Sequence, residues 1–258
     1  MEHDLTATAF VVQDGSSIGG ALRAGAHDPM LTDEISTSKV YSLNAETAKT
    51  FEPLWSEILK ASVLPTGFDL ERYRAHIDQP HLCALSDAIN GPPSAEVMRL
   101  EKDVELLKLV NRSYPSSDVP YFSASSGVVN LKYLMTSLDD WSHFAQIASD
   151  LFRAKVKARG HFLYPPSGFR NWHTNLQSEE GWIMYVVRVE EAHRSFFRYV
   201  DRETNRLETL WDVNGAINFF HISRTDLFWH CIKSLDTYRW SRGFLVPDDW
   251  AQRLRAII

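Results

Sequence analysis

Between residues 50 and 160 the apolar residues recur at helical spacing. Phe51, Leu54, Trp55, Ile58 and Leu59 form one stripe, and Pro53 falls in its first turn, where a missing N–H is harmless. Ser94 stands as an N-cap ahead of a second stripe, Val97, Leu100, Val104, Leu107 and Val110. A third helix is expected from Asp139-Asp140, whose carboxylates suit the positive end of a helix dipole. Trp141, Phe144, Ile147, Leu151 and Phe152 form its buried face. Lys155, Lys157 and Arg159 then close it, with Gly160 as the residue just past its end. These stripes predict packing faces rather than cofactor contacts.

After Gly160 the period changes. Short runs rich in β-branched and aromatic residues follow one another, separated by polar turns. They are His161–Tyr164, Trp172–Asn175, Trp182–Val189, Ser195–Tyr199, Arg206–Trp211, Ala216–Ile222, Leu227–Cys231 and Tyr238–Val246. About eight strands with no crossover helix between them imply antiparallel pairing. The predicted fold is mainly β with a helical N-terminal layer (α+β). Its core is a cupin-like jelly roll, a double-stranded β-helix. Residues 1–36 read as a loose N-terminal arm, 37–158 as a helical support region and 159–258 as the β core, all in one structural domain.

Composition narrows the function. The 258 residues carry a formal charge of -6, without the basic excess of a nucleic-acid binder. Hydrophobic content of 44% suffices for one substantial core. The two cysteines, Cys83 and Cys231, form no C-x-x-C, so neither a zinc cluster nor a disulfide framework is expected, and a reducing, cytoplasmic setting fits best. No apolar run is long enough for a membrane span, and the acidic Met1-Glu2-His3-Asp4 start is unlike a signal peptide. The glycines near the N-terminus have neither phosphate-loop spacing.

The candidate chemistry lies in the β half. Residues i and i+2 of a strand share a face, so His173 and Asn175 are expected to project together, with His230 brought alongside from a later strand. Two imidazoles and an oxygen donor leave the opposite positions of an octahedral ion open, the arrangement non-haem Fe(II) oxygenases use. Arg239 follows His230 by nine residues, and its guanidinium fork matches a carboxylate. Ser241 would share its face, and Tyr185 could donate a phenol to the same carboxylate. Arg170 and Asn171, in the loop ahead of His173, are candidate substrate contacts. His161, His193 and His221 read as decoys, and Trp172, Trp229 and Cys231 as packing on the far face.

His173-Thr174-Asn175, His230 and Arg239-Trp240-Ser241 together resemble the His-x-Asp … His … Arg-x-Ser pattern of Fe(II)/2-oxoglutarate-dependent dioxygenases. Tyr164-Pro165-Pro166-Ser167-Gly168-Phe169 has the flavour of the same superfamily, and the resemblance spans roughly residues 159–246. It implies an oxidoreductase using Fe(II), 2-oxoglutarate and O2 on a small-molecule substrate. His173, Asn175 and His230 would then hold the metal, and Arg239, Ser241 and Tyr185 the cosubstrate.

Asn175 departs from the pattern, which has a carboxylate at that position. Its amide oxygen can ligate as a neutral, weaker donor. The missing carboxylate can instead leave room for chloride, as in related halogenases, although those carry a small Gly or Ala there. A third reading is a non-catalytic, cupin-like binding protein that has lost the iron carboxylate, and a fourth is substitution by Glu179 or Glu180. A zinc hydrolase on these residues is disfavoured, since no general base stands beside them. Substrate identity and oligomeric state stay open.

Overall fold

The structure is a computed structural model describing residues 27–30, 34–102, 129–131, 139–176 and 178–257. Among these the elements run β1 (Tyr41–Asn44), α1 (Glu52–Ala61), α2 (Leu70–Ile77), α3 (Pro80–Ala88), α4 (Ala95–Lys102), β2 (Val129–Asn130) and α5 (Asp139–Phe152). Then follow β3 (Lys157–Tyr164), β4 (Phe169–His173), β5 (Gly181–Val189), β6 (Ser195–Val200), β7 (Leu207–Trp211), β8 (Ala216–Ile222), β9 (His230–Ser234), β10 (Arg239–Val246) and α6 (Trp250–Arg255). The strands form two sheets, one ordered β1-β8-β5-β10-β3-β2 and one β4-β9-β6-β7. Every strand pairing is antiparallel.

Strand alternation sorts the side chains into layers. Trp182, Met184 and Val186 of β5 and Ile217 and Phe219 of β8 cluster with Leu54, Trp55 and Ile58 of α1 and with Phe144 and Phe152 of α5. Trp250 of α6 seals this layer by stacking on Phe219, with ring centroids 3.9 Å apart. The intervening residues point the other way. Tyr164, Ile183, Phe220 and Ile222 from the large sheet cluster with Phe197, Tyr199 and Ile232 from the small one. On the remaining side, Phe169, Trp172, Phe196 and Cys231 pack with Tyr73 and Ile77 of α2 and Leu82 of α3. Helices thus cover both outer faces, and the space between the sheets is left for the site.

Several local expectations are corrected. The third helix ends at Phe152, not near residue 159. Arg153 takes a left-handed conformation (φ 48°), and the Ala154 N–H reaches back to the Ser149 carbonyl at 3.1 Å, the pattern that closes many helices. Lys157 and Ala158 instead pair with Leu245 and Phe244 of β10, so Gly160 lies inside a strand. Tertiary pairing overrides the helix-friendly lysines there. Leu59, assigned to a buried stripe, is exposed. Ser94 does cap its helix, accepting the Val97 N–H at 3.2 Å, while that stripe beyond Lys102 lies outside the described residues, as do residues 1–26 of the expected arm. Five elements, β1, α2, α3, β2 and α6, carried no readable signal. At two to nine residues each, they are too short for a period to show. No described helix is long and apolar enough to cross a membrane.

One irregularity positions the site. Along β4, Arg170 faces Ile232 and His173 faces His230, so three steps on β4 span two on β9. This is a β-bulge. The extra residue lets Arg170 and His173 share a face despite their odd spacing.

Candidate metal and carboxylate site

Between the sheets lies a small, largely enclosed cavity. His173, His230, Ile232 and Phe197 line it from the small sheet, and Tyr164, Tyr185, Asn218, Arg239 and Ser241 from the large one. Arg170 enters it beside the bulge.

The two histidines are cross-strand partners with ring centroids 4.1 Å apart. His173 Nδ1 lies 2.7 Å from the Asn171 carbonyl oxygen, and His230 Nδ1 lies 2.9 Å from that of Phe228. A carbonyl only accepts, so each Nδ1 carries the proton and each Nε2 presents its lone pair. This is how metal-binding histidines are commonly oriented. His173 Nε2 is buried and has no hydrogen-bond partner, an arrangement costly in a protein interior unless a ligand uses it. Both rings are held neutral. Burial, the Arg170 charge and the neighbouring His230 push the His173 pKa well below its ordinary value. Burial, opposed by the Phe228 carbonyl, brings that of His230 down to about 3.

Asn175 reaches the pair by a route other than the one expected. Strand β4 stops at His173, so the i, i+2 rule does not apply. Asn175 instead sits in the left-handed region (φ 58°), which asparagine tolerates better than most residues. Its Nδ2 lies 3.2 Å from His230 Nε2, and its Oδ1 accepts from Arg170 Nη2 at 3.2 Å. Among the described residues no group of three or more His, Cys, Asp or Glu side chains is placed to hold a metal ion. Glu179 pairs with Lys157 and Arg159, and Glu180 accepts the Arg224 N–H, so neither acid substitutes at the site. The two imidazoles fit a metal ion on the strength of the partnerless Nε2. The third position offers a neutral amide whose oxygen already has a donor.

Arg239 is buried, and its Nε donates to Asp212 Oδ2 at 2.8 Å. The Ser195 hydroxyl donates to the same oxygen at 2.9 Å. Asp212 is fully buried, so this ion pair is shielded from solvent. Arg239 Nη1 is left buried without a hydrogen-bond partner. The guanidinium also lies 5.1 Å from the Tyr164 ring centre. Burial drives the Tyr164 phenol up to about 12, against the pull of the Arg239 charge, so it stays a hydroxyl donor. Tyr185 is raised too, again by burial. The Tyr185 ring leans across Gly243 of β10, where an added Cβ would come within 2.8 Å of it.

The structure therefore brings together His173, Asn175, His230, Arg239, Ser241, Tyr185 and Arg170. Asn171 is not among the side chains that line the cavity. Its carbonyl orients His173, and its side chain accepts the Trp172 N–H at 2.8 Å. Asp212, Tyr164 and Asn218 were not anticipated as site residues. Asn218 had a signal, a lone amide in the apolar run Ala216–Ile222. Asp212 had none, since one acid after a strand is unremarkable.

Neither a family model nor a curated protein matches the chain. Among solved structures it is similar to an oxidoreductase of the 2OG-Fe(II) oxygenase family from Burkholderia pseudomallei, at 9% identity over 63% of this chain and 90% of the other, with a TM-score of 0.34. It is also similar to a Pseudomonas putida prolyl-4-hydroxylase, at 12% identity over 62% and 95%, TM-score 0.34. A third is the Arabidopsis thaliana dioxygenase for auxin oxidation in its 2-oxoglutarate complex, at 10% identity over 81% and 84%, TM-score 0.32. The likeness is remote, and the functional reading rests on the side chains of the cavity.

Proposed function

We propose that the chain is an Fe(II)/2-oxoglutarate-dependent oxygenase acting on a small molecule, built on a double-stranded β-helix. The observation that carries the reading is the His173–His230 pair, each Nδ1 fixed by a backbone carbonyl and each Nε2 turned to a cavity shared with Arg239 and Ser241. His173 and His230 would hold the metal, with Asn175 Oδ1 as third donor. Arg239 Nη1, Ser241 and Tyr185 would receive the distal carboxylate of 2-oxoglutarate. When bound, Fe(II) with 2-oxoglutarate and O2 supplies the oxidation of a C–H bond, with succinate and CO2 as coproducts. The protein's own contribution is orientation and exclusion of water. The Asn171 and Phe228 carbonyls fix the imidazoles, Asp212 aligns Arg239, and Phe197, Phe220 and Ile232 keep the walls apolar. Both cysteines are free thiols, which suits a reducing, cytoplasmic setting.

The test is an anaerobic titration with Fe(II) and 2-oxoglutarate, followed by the visible charge-transfer band of the chelate. A band in the wild type that is lost in His230→Ala is the expected result. Absence of a band at saturating metal would reject the reading.

One observation favours a second reading, a non-catalytic binding protein. Arg170 donates to the Asn175 amide oxygen, placing a cation and an occupied donor where a metal would need a free anion. That reading predicts ligand binding without metal and no succinate release.

A further inference from the structure

We propose that Arg170 is a carboxylate-binding residue of the cavity, distinct from Arg239, and that the carboxylate it takes up releases the Asn175 amide oxygen. The second half of this proposal rests on the oxygenase reading; the first half does not.

The two guanidiniums of the cavity are treated differently. Arg239 has a buried carboxylate partner in Asp212. Arg170 has none: among the described residues no Asp or Glu pairs with it, and its side-chain hydrogen bond goes to the neutral amide of Asn175. Its Cζ lies 5.3 Å from the centre of the Phe162 ring, which holds the planar group at the cavity wall. The cavity lining holds two arginines and no acid. The Nδ1 atoms of His173 and His230 are engaged by the Asn171 and Phe228 carbonyls, so neither ring offers the cavity a donor for an anion. Apolar walls concentrate the field of an uncompensated charge.

A charged acceptor forms hydrogen bonds roughly twice as strong as a neutral one, and a carboxylate can meet a guanidinium with two parallel bonds. An entering carboxylate therefore outcompetes the Asn175 amide for Arg170. Arg239 Nη1, buried and without a partner in the same cavity, can receive a second carboxylate. The ligand class that uses both is a short dicarboxylic acid. Once Arg170 turns to that ligand, Asn175 Oδ1 loses its donor, and the amide can rotate to withdraw Nδ2 from the His230 Nε2 lone pair it meets at 3.2 Å. The amide oxygen is then available to a cation between the imidazoles. Acid and metal binding become mutually reinforcing, and linkage requires the effect to be reciprocal.

The probe is glutarate, which has both carboxylates but lacks the 2-oxo group that would chelate a metal. Calorimetric titration in EDTA is expected to show binding to the wild type. Arg170→Gln should weaken it about tenfold to a hundredfold, the range for a hydrogen bond to a charged group. Arg170→Lys keeps the charge without the fork and should fall between. Equal affinity in wild type and Arg170→Gln, or no glutarate binding by the wild type, overturns the proposal. A parallel titration with Co(II), read by its visible absorption, tests the release of Asn175. Glutarate should tighten Co(II) binding in the wild type and leave Arg170→Gln unaffected; the same effect in both proteins refutes the release. Glutarate binding through Arg170 with no Co(II) binding at all would uphold the carboxylate site and reject the oxygenase reading. Co(II) binding lost in His230→Ala, without glutarate binding, would do the reverse.

Discussion

At position 175 a neutral amide stands between a cation and an imidazole, donating to one and accepting from the other. An Asp there could not donate to His230 Nε2, and it would add an anionic oxygen to the imidazole pair. Asn175→Asp is therefore expected to raise Fe(II) affinity by about tenfold or more, equivalent to about 1.4 kcal/mol. Arg170 would compete for the new carboxylate and limit the gain. Equilibrium metal titration under anaerobic conditions measures it, and unchanged affinity would show that the position 175 side chain does not face the metal. That His173, His230, Arg239, Ser241 and Tyr185 meet at one cavity was legible because strand alternation and strand order restrict which side chains converge. The Asn175 route was not legible, because a left-handed backbone leaves no period to read.

At the scale of elements, β10 shows how closely the strands are fitted to the cavity. Gly243 lies directly opposite Tyr185 of β5, and the phenol ring fills the space a side chain would take. Tyr185 also stacks on Phe220, with ring centroids 5.9 Å apart, so it cannot retreat freely. Gly243→Ala should cost about 1–3 kcal/mol, as overpacking does. It should also weaken 2-oxoglutarate binding, because the displaced ring belongs to the cavity wall. Urea denaturation and ligand titration on the same variant test both effects; native-like stability would mean the ring relaxes without strain. The strands from β5 to β8 could be placed almost residue by residue, since apolar runs and polar turns alternate cleanly there. The β4 bulge could not, and with it went the reason Arg170 enters the cavity. A strand pattern fixes parity only while the ladder is regular.

Across the whole molecule, the helical layer does more than cover the large sheet. His161 of β3 is fully buried, and its Nδ1 lies 3.0 Å from Arg242 Nη1. Arg242 in turn donates to the Ala61 carbonyl and lies over Phe144, tying β10 to α1 and α5. Burial first, and the Arg242 charge second, bring the His161 pKa down to about 3. The folded state thus refuses a proton that an unfolded histidine takes up near pH 6.5. Stability should rise with pH between about 3 and 6.5 and be unaffected by this group above about 7. The slope in that window approaches about 1.4 kcal/mol per pH unit for one such residue. Chemical denaturation at pH 7.5, 6.5 and 5.5, comparing wild type with His161→Gln, isolates it. Identical pH dependence in the two proteins would remove His161 from the account.

The cavity's arginines also stand in contrast to the charge of the chain as a whole. The protein carries a formal charge of -6, yet the cavity is lined by two guanidiniums and no acid. An anionic ligand approaches through a repulsive far field and is captured by an attractive near field. Salt acts on the two unequally: exposed, distant charges are screened within about 8 Å at physiological ionic strength, while buried pairs are screened much less. Added salt should therefore quicken the arrival of a dicarboxylate more than it hastens its departure. That is the opposite of the usual steering, in which salt slows an anion's approach to a basic surface.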